Sequence, residues 1–193
     1  MARKGAQDSE VRAQLVGAAR ELIQDEGSAA VTARRLADKI GLKRQIVHYY
    51  FGTLDELFIA VLEQQGDQAR RRFQTALQKK SPLRVTWEEA HDASATLFEF
   101  IALAMHRSSI REVLTRYMDE FREMQANALE VFFAERDIDL PPLVCTLLLA
   151  SVSQTLALER ALGVTLGHAD TDRLISSLLD QVEAGKRPEA FTL

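Results

Sequence analysis

Lys43, Arg44, Gln45, His48 and Tyr49 are five groups able to read or hold a nucleic acid, gathered within seven positions. The guanidinium of Arg44 can bond both acceptors of a guanine edge, and the amide of Gln45 can pair with adenine. Lys43 and the hydroxyls of Tyr49 and Tyr50 suit phosphate oxygens, contacts that fix register without reading sequence. Ile46, Val47 and Phe51, interleaved with them, are expected to hold the segment against its neighbours. Two positions have a plainer alternative: His48 can pack beneath Tyr49, and Tyr50, beside Phe51, can belong to a core.

Such a reading head needs a scaffold, and the flanking residues provide one. Thr32 is placed to cap a short helix whose inward face is Ala33, Leu36, Ala37 and Ile40, and Gly41 ends it with a residue that tolerates positive φ. The next helix runs from Lys43 to about Tyr50 and is broken at Gly52. Two short helices about a glycine turn, the second with a cationic outer face, are the sequence form of a helix-turn-helix. Ahead of them Ser9 opens a helix with Val11, Leu15, Ala18, Leu22 and Ile23 at helical spacing, stopped by Gly27. Arg34 and Arg35 are either contacts to DNA or solvated surface charges.

The whole chain of 193 residues has a formal net charge of -4, which argues against a polyanionic partner until it is divided along the sequence. Residues 1–50 hold nine Lys or Arg against six acidic residues, a net of +3, which leaves -7 for the remainder. Between Ser28 and Tyr50 five bases face Asp38 alone. Phosphate binding needs local positive charge, so a basic head on an acidic body matches a protein that meets DNA with one end.

The rest of the chain also reads as helices. One starts near Thr53, buries Leu54, Leu57, Phe58, Val61 and Leu62, and runs to about Lys80, where Ser81 and Pro82 close it. Thr86 with Glu89 forms a capping-box pattern opening a helix with Ala93, Leu97, Phe98, Ile101 and Met105, and Ser109 with Glu112 repeats the pattern. The apolar series from Ile110 to Phe132 is long, and a break is expected near Leu114 to Arg116. A loop at Asp137 to Pro142 precedes a helix to Leu162; after Gly163 to Ala169 a last helix holds Leu174, Ile175, Leu178, Leu179 and Val182. No run alternates apolar and polar residues, so an all-α chain of about nine helices without a sheet is expected.

Composition narrows the classes further. With 47% hydrophobic and 27% charged residues the chain is globular. A sole Cys145 inside an apolar run reads as a small core residue in a reducing compartment. The N-terminus is short and polar, so a cytoplasmic location is expected. Leu140 to Leu158 is uncharged and approaches the length of a membrane span, but Pro141, Pro142, Thr146, Ser151, Ser153, Gln154 and Thr155 favour a buried helix and no membrane partner. There is no phosphate-cradling glycine loop, no metal-spaced Cys and His cluster and no nucleophile elbow, and His48, His91, His106 and His168 are scattered. Neither catalysis nor a cofactor or metal is expected. Arg70, Arg71 and Arg72 read as a solvated helix face.

The block TARRLADKIGLKRQIVHYYFGTLDELFIAVL, Thr32 to Leu62, resembles the DNA-binding signature of the TetR family of one-component transcriptional regulators. The helix ahead of it, with its Gly27, fits the same pattern, and beyond residue 62 helix number, order and length agree. The resemblance implies an all-helical homodimer with a three-helix DNA-binding domain, here residues 1–52, and a larger ligand-binding and dimerisation domain, residues 53–193. It also implies association through the last two long helices, with Leu148, Leu156, Leu178 and Leu179 expected at the contact. In such a dimer two recognition helices enter successive major grooves of a near-palindromic operator.

Carried over by position, Thr32 and Arg34 match places that contact the DNA backbone or a base. Arg44, Gln45 and His48 match base-reading positions, and Tyr49 and Tyr50 match places that touch phosphate. Three residues depart from the pattern: Lys43 stands where a Ser or Thr cap is frequent, Gln45 replaces a frequent Gly, and Leu54 replaces a phosphate-reaching Lys. A different operator preference is the expected consequence.

The later helices carry large apolar residues with a few polar ones, as a pocket for a mostly apolar small molecule requires. The candidates are Phe98, Ile101, Met105, Tyr117, Phe121, Gln125, Leu148, Ser151 and Thr155, with His91 and His106 able to orient a polar group. The family resemblance implies a repressor released when its ligand alters the spacing of the two heads. The competing reading is a helical ligand-binding or partner-binding protein without specific DNA recognition, which the Leu54 departure keeps open.

Overall fold

Gly27 ends the first helix, α1 (Ala2–Glu26), by adopting a φ of 83°, a left-handed value that costs a side-chain-free residue nothing. A single 3-10 turn, Ser28–Ala30, then leads into α2 (Ala33–Lys39). The Thr32 hydroxyl caps α2, accepting the Arg35 N–H at 3.2 Å. Gly41, with φ of 69°, makes the turn into α3 (Arg44–Tyr50). α4 (Leu54–Ala76) opens with a reciprocal cap: Thr53 Oγ1 accepts the Glu56 N–H at 3.2 Å, and Glu56 Oε2 accepts the Gly52 N–H at 3.0 Å.

The remaining elements are α5 (Pro82–His91), α6 (Ala95–His106), α7 (Ser108–Ala134), α8 (Pro142–Ala161) and α9 (His168–Glu183). This computed structural model describes residues 2–91 and 95–185, with side chains of 2–8, 89–91 and 95 left aside. Among the described residues there are nine α-helices and no strand, the all-α architecture expected from the sequence.

The helices gather into two compact units. The first holds α1, α2, α3, α4 as far as Gln68, α6, and α7 as far as Tyr117; the second holds the rest of α4 and α7 with α5, α8 and α9. In the first, Leu15, Ile23, Leu36, Val47, Leu57, Phe58, Val61, Phe100 and Ile110 are buried. The Phe58 and Phe100 rings meet edge to face at 6.4 Å, tying α4 to α6. In the second, Leu83 and Trp87 of α5, Leu129, Phe132 and Phe133 of α7, Leu156 of α8, and Leu179 and Val182 of α9 form one core. The Ser153 hydroxyl donates to the Trp87 carbonyl at 3.1 Å, so the polar group buried between α5 and α8 is satisfied.

Several local expectations need correction. Thr86 does not cap a helix: it is fully buried in the middle of α5, and Ser81 Oγ takes the cap by accepting the Arg84 N–H at 3.2 Å. The stretch from Thr86 to Met105 is accordingly divided between α5 and α6, with Ala93 outside the described residues. α7 runs unbroken through Leu114 to Arg116, because it contains no Gly or Pro and Ile110, Leu114, Gln125, Leu129 and Phe132 keep one face inward. α1 starts at Ala2, well before Ser9.

α8 departs most. It is long and apolar enough to cross a membrane, yet only 17% of its most apolar stretch is buried within the chain, so it is not the buried helix expected. Leu156 and Leu179 likewise do not face outward; they are 6% and 4% exposed, in the core of their own chain. Cys145 is half-buried against that core, and burial pushes its thiol up, consistent with a packing residue.

Candidate nucleic-acid interface

α3 is held from behind. Val47 and Phe51 are buried, and the Arg12 guanidinium of α1 lies over the Phe51 ring at 5.1 Å. With its inner side fixed, α3 presents Lys43, Arg44, Gln45, His48 and Tyr49 to solvent, and all five are exposed. Tyr49 is 71% exposed, and its ring meets Tyr50 edge to face at 5.0 Å; Tyr50 itself is half-buried. His48 does not pack beneath Tyr49, which leans on Tyr50 instead.

The cations of the hairpin fall into two groups. On α2, Arg35 pairs with Glu26 at 2.5 Å and Lys39 with Glu21 at 3.0 Å, so both are tied to carboxylates of α1. Hydrogen bonding from Arg35 holds the Glu26 carboxyl below its ordinary range. Arg34 has only a loose pair with Asp38 at 3.8 Å, both side chains being open to water. At the start of α3, among the described residues, neither the N-cap Lys43 nor Arg44 has an acidic partner. An unpaired guanidinium loses no protein contact on turning to a phosphate or base, whereas a paired one must first give up its carboxylate. Thr32 is exposed but commits its hydroxyl to the α2 cap, and Leu54 is half-buried at the first residue of α4.

The residues nominated for a ligand do not converge in the same way. Phe98, Ile101 and Tyr117 are half-buried in the first unit, where Met105 is 69% exposed. Phe121 and Gln125 sit in the second unit; Phe121 stacks edge-on against Phe73 at 5.6 Å and Gln125 is buried. Leu148, Ser151 and Thr155 lie on the exposed side of α8, so in the single chain they line no enclosed space. His106 is exposed, and the His91 side chain lies outside the described ones. An open groove of about 440 Å³ is lined instead by residues such as Leu77, Lys80, Pro82, Ala128, Val131 and Phe132, none of them nominated.

Sequence reasoning missed Glu99, Asp55 and Arg107. The carboxylate of Glu99 accepts the Ser28 N–H at 2.9 Å, and Asp55 takes bonds from Arg107 at 2.5 Å and from the Ser109 hydroxyl at 2.8 Å. The one signal for Glu99 was its being the sole acid in the apolar helix α6.

Residues 15–61 match the family model of bacterial regulatory proteins, tetR family. No curated protein matches the chain in sequence. Among solved structures the chain is similar to a transcriptional regulator from Saccharomonospora viridis in complex with choline, with 17% identity, a TM-score of 0.73, and 91% of this chain and 96% of that one covered. A TetR transcription regulator from Haloarcula marismortui gives 18% identity and a TM-score of 0.73 over 88% of this chain and 95% of that one. The regulator FadR from Bacillus subtilis, in complex with stearoyl-CoA, gives 14% and 0.58 over 90% and 98%. At such identities the likeness carries the fold.

Proposed function

We propose that this chain, whose residues 15–61 match the model of bacterial regulatory proteins, tetR family, is a TetR-family regulator: a dimeric repressor that binds a near-palindromic operator and is released by a small, mostly apolar ligand. The observation that carries the DNA-binding part is the bare outer face of α3, where two cations without acidic partners stand beside exposed Gln45, His48 and Tyr49. In this reading Arg44, Gln45 and His48 read base edges, Lys43, Tyr49 and Tyr50 hold phosphates, and Arg34 adds a contact from α2 after Thr32 has fixed that helix's start. Residues 1–52 are the reading head and residues 53–193 the ligand-binding and dimerisation part.

Dimerisation rests on α8. Leu143, Val144, Leu147, Leu148 and Leu158 are each at least 40% exposed, and Leu174 of α9 is 58% exposed. A run of exposed apolar side chains of this kind marks an interaction surface, and in a family of homodimers the covering partner is a second copy. Leu148 belongs to that face; Leu156 and Leu179 hold α8 and α9 to their own core.

The ligand is assigned to the apolar, half-buried Phe98, Ile101 and Tyr117 of the first unit. The complexes of similar structures with choline and with stearoyl-CoA support a small-molecule effector and leave its class open to test. Selecting genomic fragments with the purified protein, then titrating the recovered duplex at several salt concentrations, tests the reading. A regulator yields a small set of two-fold-related sites with affinity falling steeply in salt; recovery of random fragments or a flat salt response overturns it.

A further inference from the structure

α6 carries two of the residues assigned to the ligand, Phe98 and Ile101, and it is fastened at one end to the DNA-binding head and at the other to the first turn of α4. At one end Glu99 Oε2 accepts the Ser28 backbone N–H at 2.9 Å. Ser28 opens the turn between α1 and α2, so this carboxylate grips the joint from which the helix-turn-helix hangs. At the other end Arg107, one residue past α6, bonds Asp55 in the first turn of α4 at 2.5 Å and lies over the Phe58 ring at 5.5 Å, while Ser109 donates to the other Asp55 oxygen.

Both grips are specific. Among the backbone bonds of this joint the Gly27 N–H goes to Ile23, the Ala30 N–H to Gly27 and the Val31 N–H to Ser28, which leaves Glu99 as the partner of the Ser28 N–H. Gly27 makes room for it: a Cβ there would sit 3.3 Å from Glu99 Oε1, and φ of 83° already disfavours a side chain. A carboxylate is a stronger acceptor than a neutral oxygen, and hydrogen bonding from Ser28 holds Glu99 below the ordinary carboxylate range.

We infer that Glu99 is a positioning residue that transmits displacement of α6 directly to the joint ahead of the helix-turn-helix, with Asp55, Arg107 and Ser109 as the second grip. The inference rests on the proposed function in one respect, the assignment of ligand to α6. A ligand pressing on Phe98 or Ile101 moves a helix whose next residues are bonded to the head, so head orientation follows α6 without an intervening element. Neither grip touches the exposed face of α3, so the effect reaches operator affinity through geometry and leaves phosphate contacts alone.

The test uses the full-length protein and its Glu99→Ala and Glu99→Gln variants, with Lys80→Ala as a control that removes an exposed ion pair of the second unit. Hydrogen exchange followed by mass spectrometry should show the amides of residues 28–31 exchanging about tenfold faster in Glu99→Ala, with α9 unchanged, and a smaller rise in Glu99→Gln, whose amide oxygen still accepts. Titration against the operator recovered by fragment selection should show about a fivefold to tenfold loss of affinity for Glu99→Ala, partial recovery in Glu99→Gln, and an unchanged salt slope. Unchanged exchange at residues 28–31, exchange that rises equally in α9, or a salt slope that falls with affinity overturns the inference. If wild-type protein binds no duplex, the regulator reading fails on its own, and the exchange result still decides whether Glu99 holds the joint.

Discussion

α3 and α8 each leave one face uncovered, and the two faces differ in every respect that selects a partner. α3 and its N-cap expose two unpaired cations, Lys43 and Arg44, beside Gln45, His48 and Tyr49, while α8 exposes Leu143, Val144, Leu147, Leu148 and Leu158 with Ser151 and Thr155. Water solvates the first well, so that face can stay open until a polyanion displaces ions and solvent. Water solvates the second poorly, and an apolar face of that extent calls for a permanent cover. Under the proposed function the first is a reversible surface and the second a constitutive one.

The largest effect expected is at the apolar face. Leu148→Glu places a charge in the proposed contact between copies, and light scattering at micromolar concentration should give a monomeric mass where the unaltered protein is dimeric; a dimer surviving the substitution breaks the contrast. Next comes Arg44→Ala, which should cost about 1 to 3 kcal/mol of operator binding and relax specificity at one position. Unaltered affinity and specificity would remove Arg44 from the reading face.

A smaller change is expected at Leu54→Lys, which adds a cation at the start of α4 and should raise the slope of log affinity against log salt by about one unit. Arg35→Ala should leave specificity unchanged, since Arg35 is already committed to Glu26. A change in base preference for that variant would erase the distinction between paired and bare cations.

Acid sharpens the comparison from another side. Hydrogen bonds from Ser109 and then Arg107 hold Asp55 below its ordinary range, outweighing the opposing effect of burial, and Ser28 does the same for Glu99. Both groups take up protons more readily when unfolded than folded, so their contribution to stability is present above the usual carboxylate range and is lost as pH falls below about 4. Urea titrations at pH 7 and near pH 3 should show this loss reduced in Arg107→Ala; an identical acid response in that variant would falsify the Asp55 grip as a stabilising contact.

Much of the head was legible because its signals are local. Thr32 caps α2, Gly41 turns the chain and Val47 faces inward, each readable from residue type and spacing within a few positions. The cap of α5 was misread because Thr and Ser carry the same local signal; burial of Thr86 by other helices decided for Ser81. The unbroken α7 was missed for the opposite reason: continuity depends on what its inner face packs against along 27 residues, and periodicity over a short window does not reveal that.

Residue order alone determined that the chain is helical, that residues 1–50 carry a net positive charge on an otherwise acidic chain, and that Arg44, Gln45 and His48 share one short helical segment, since each is read from residue types a few positions apart. Only the tertiary structure decided which cations of that hairpin are already neutralised, which leucines of α8 and α9 are core and which are surface, and that Glu99 reaches Ser28 across 71 positions of chain. These depend on which side chains folding brings together, and pair distances of that kind are carried by no single helix.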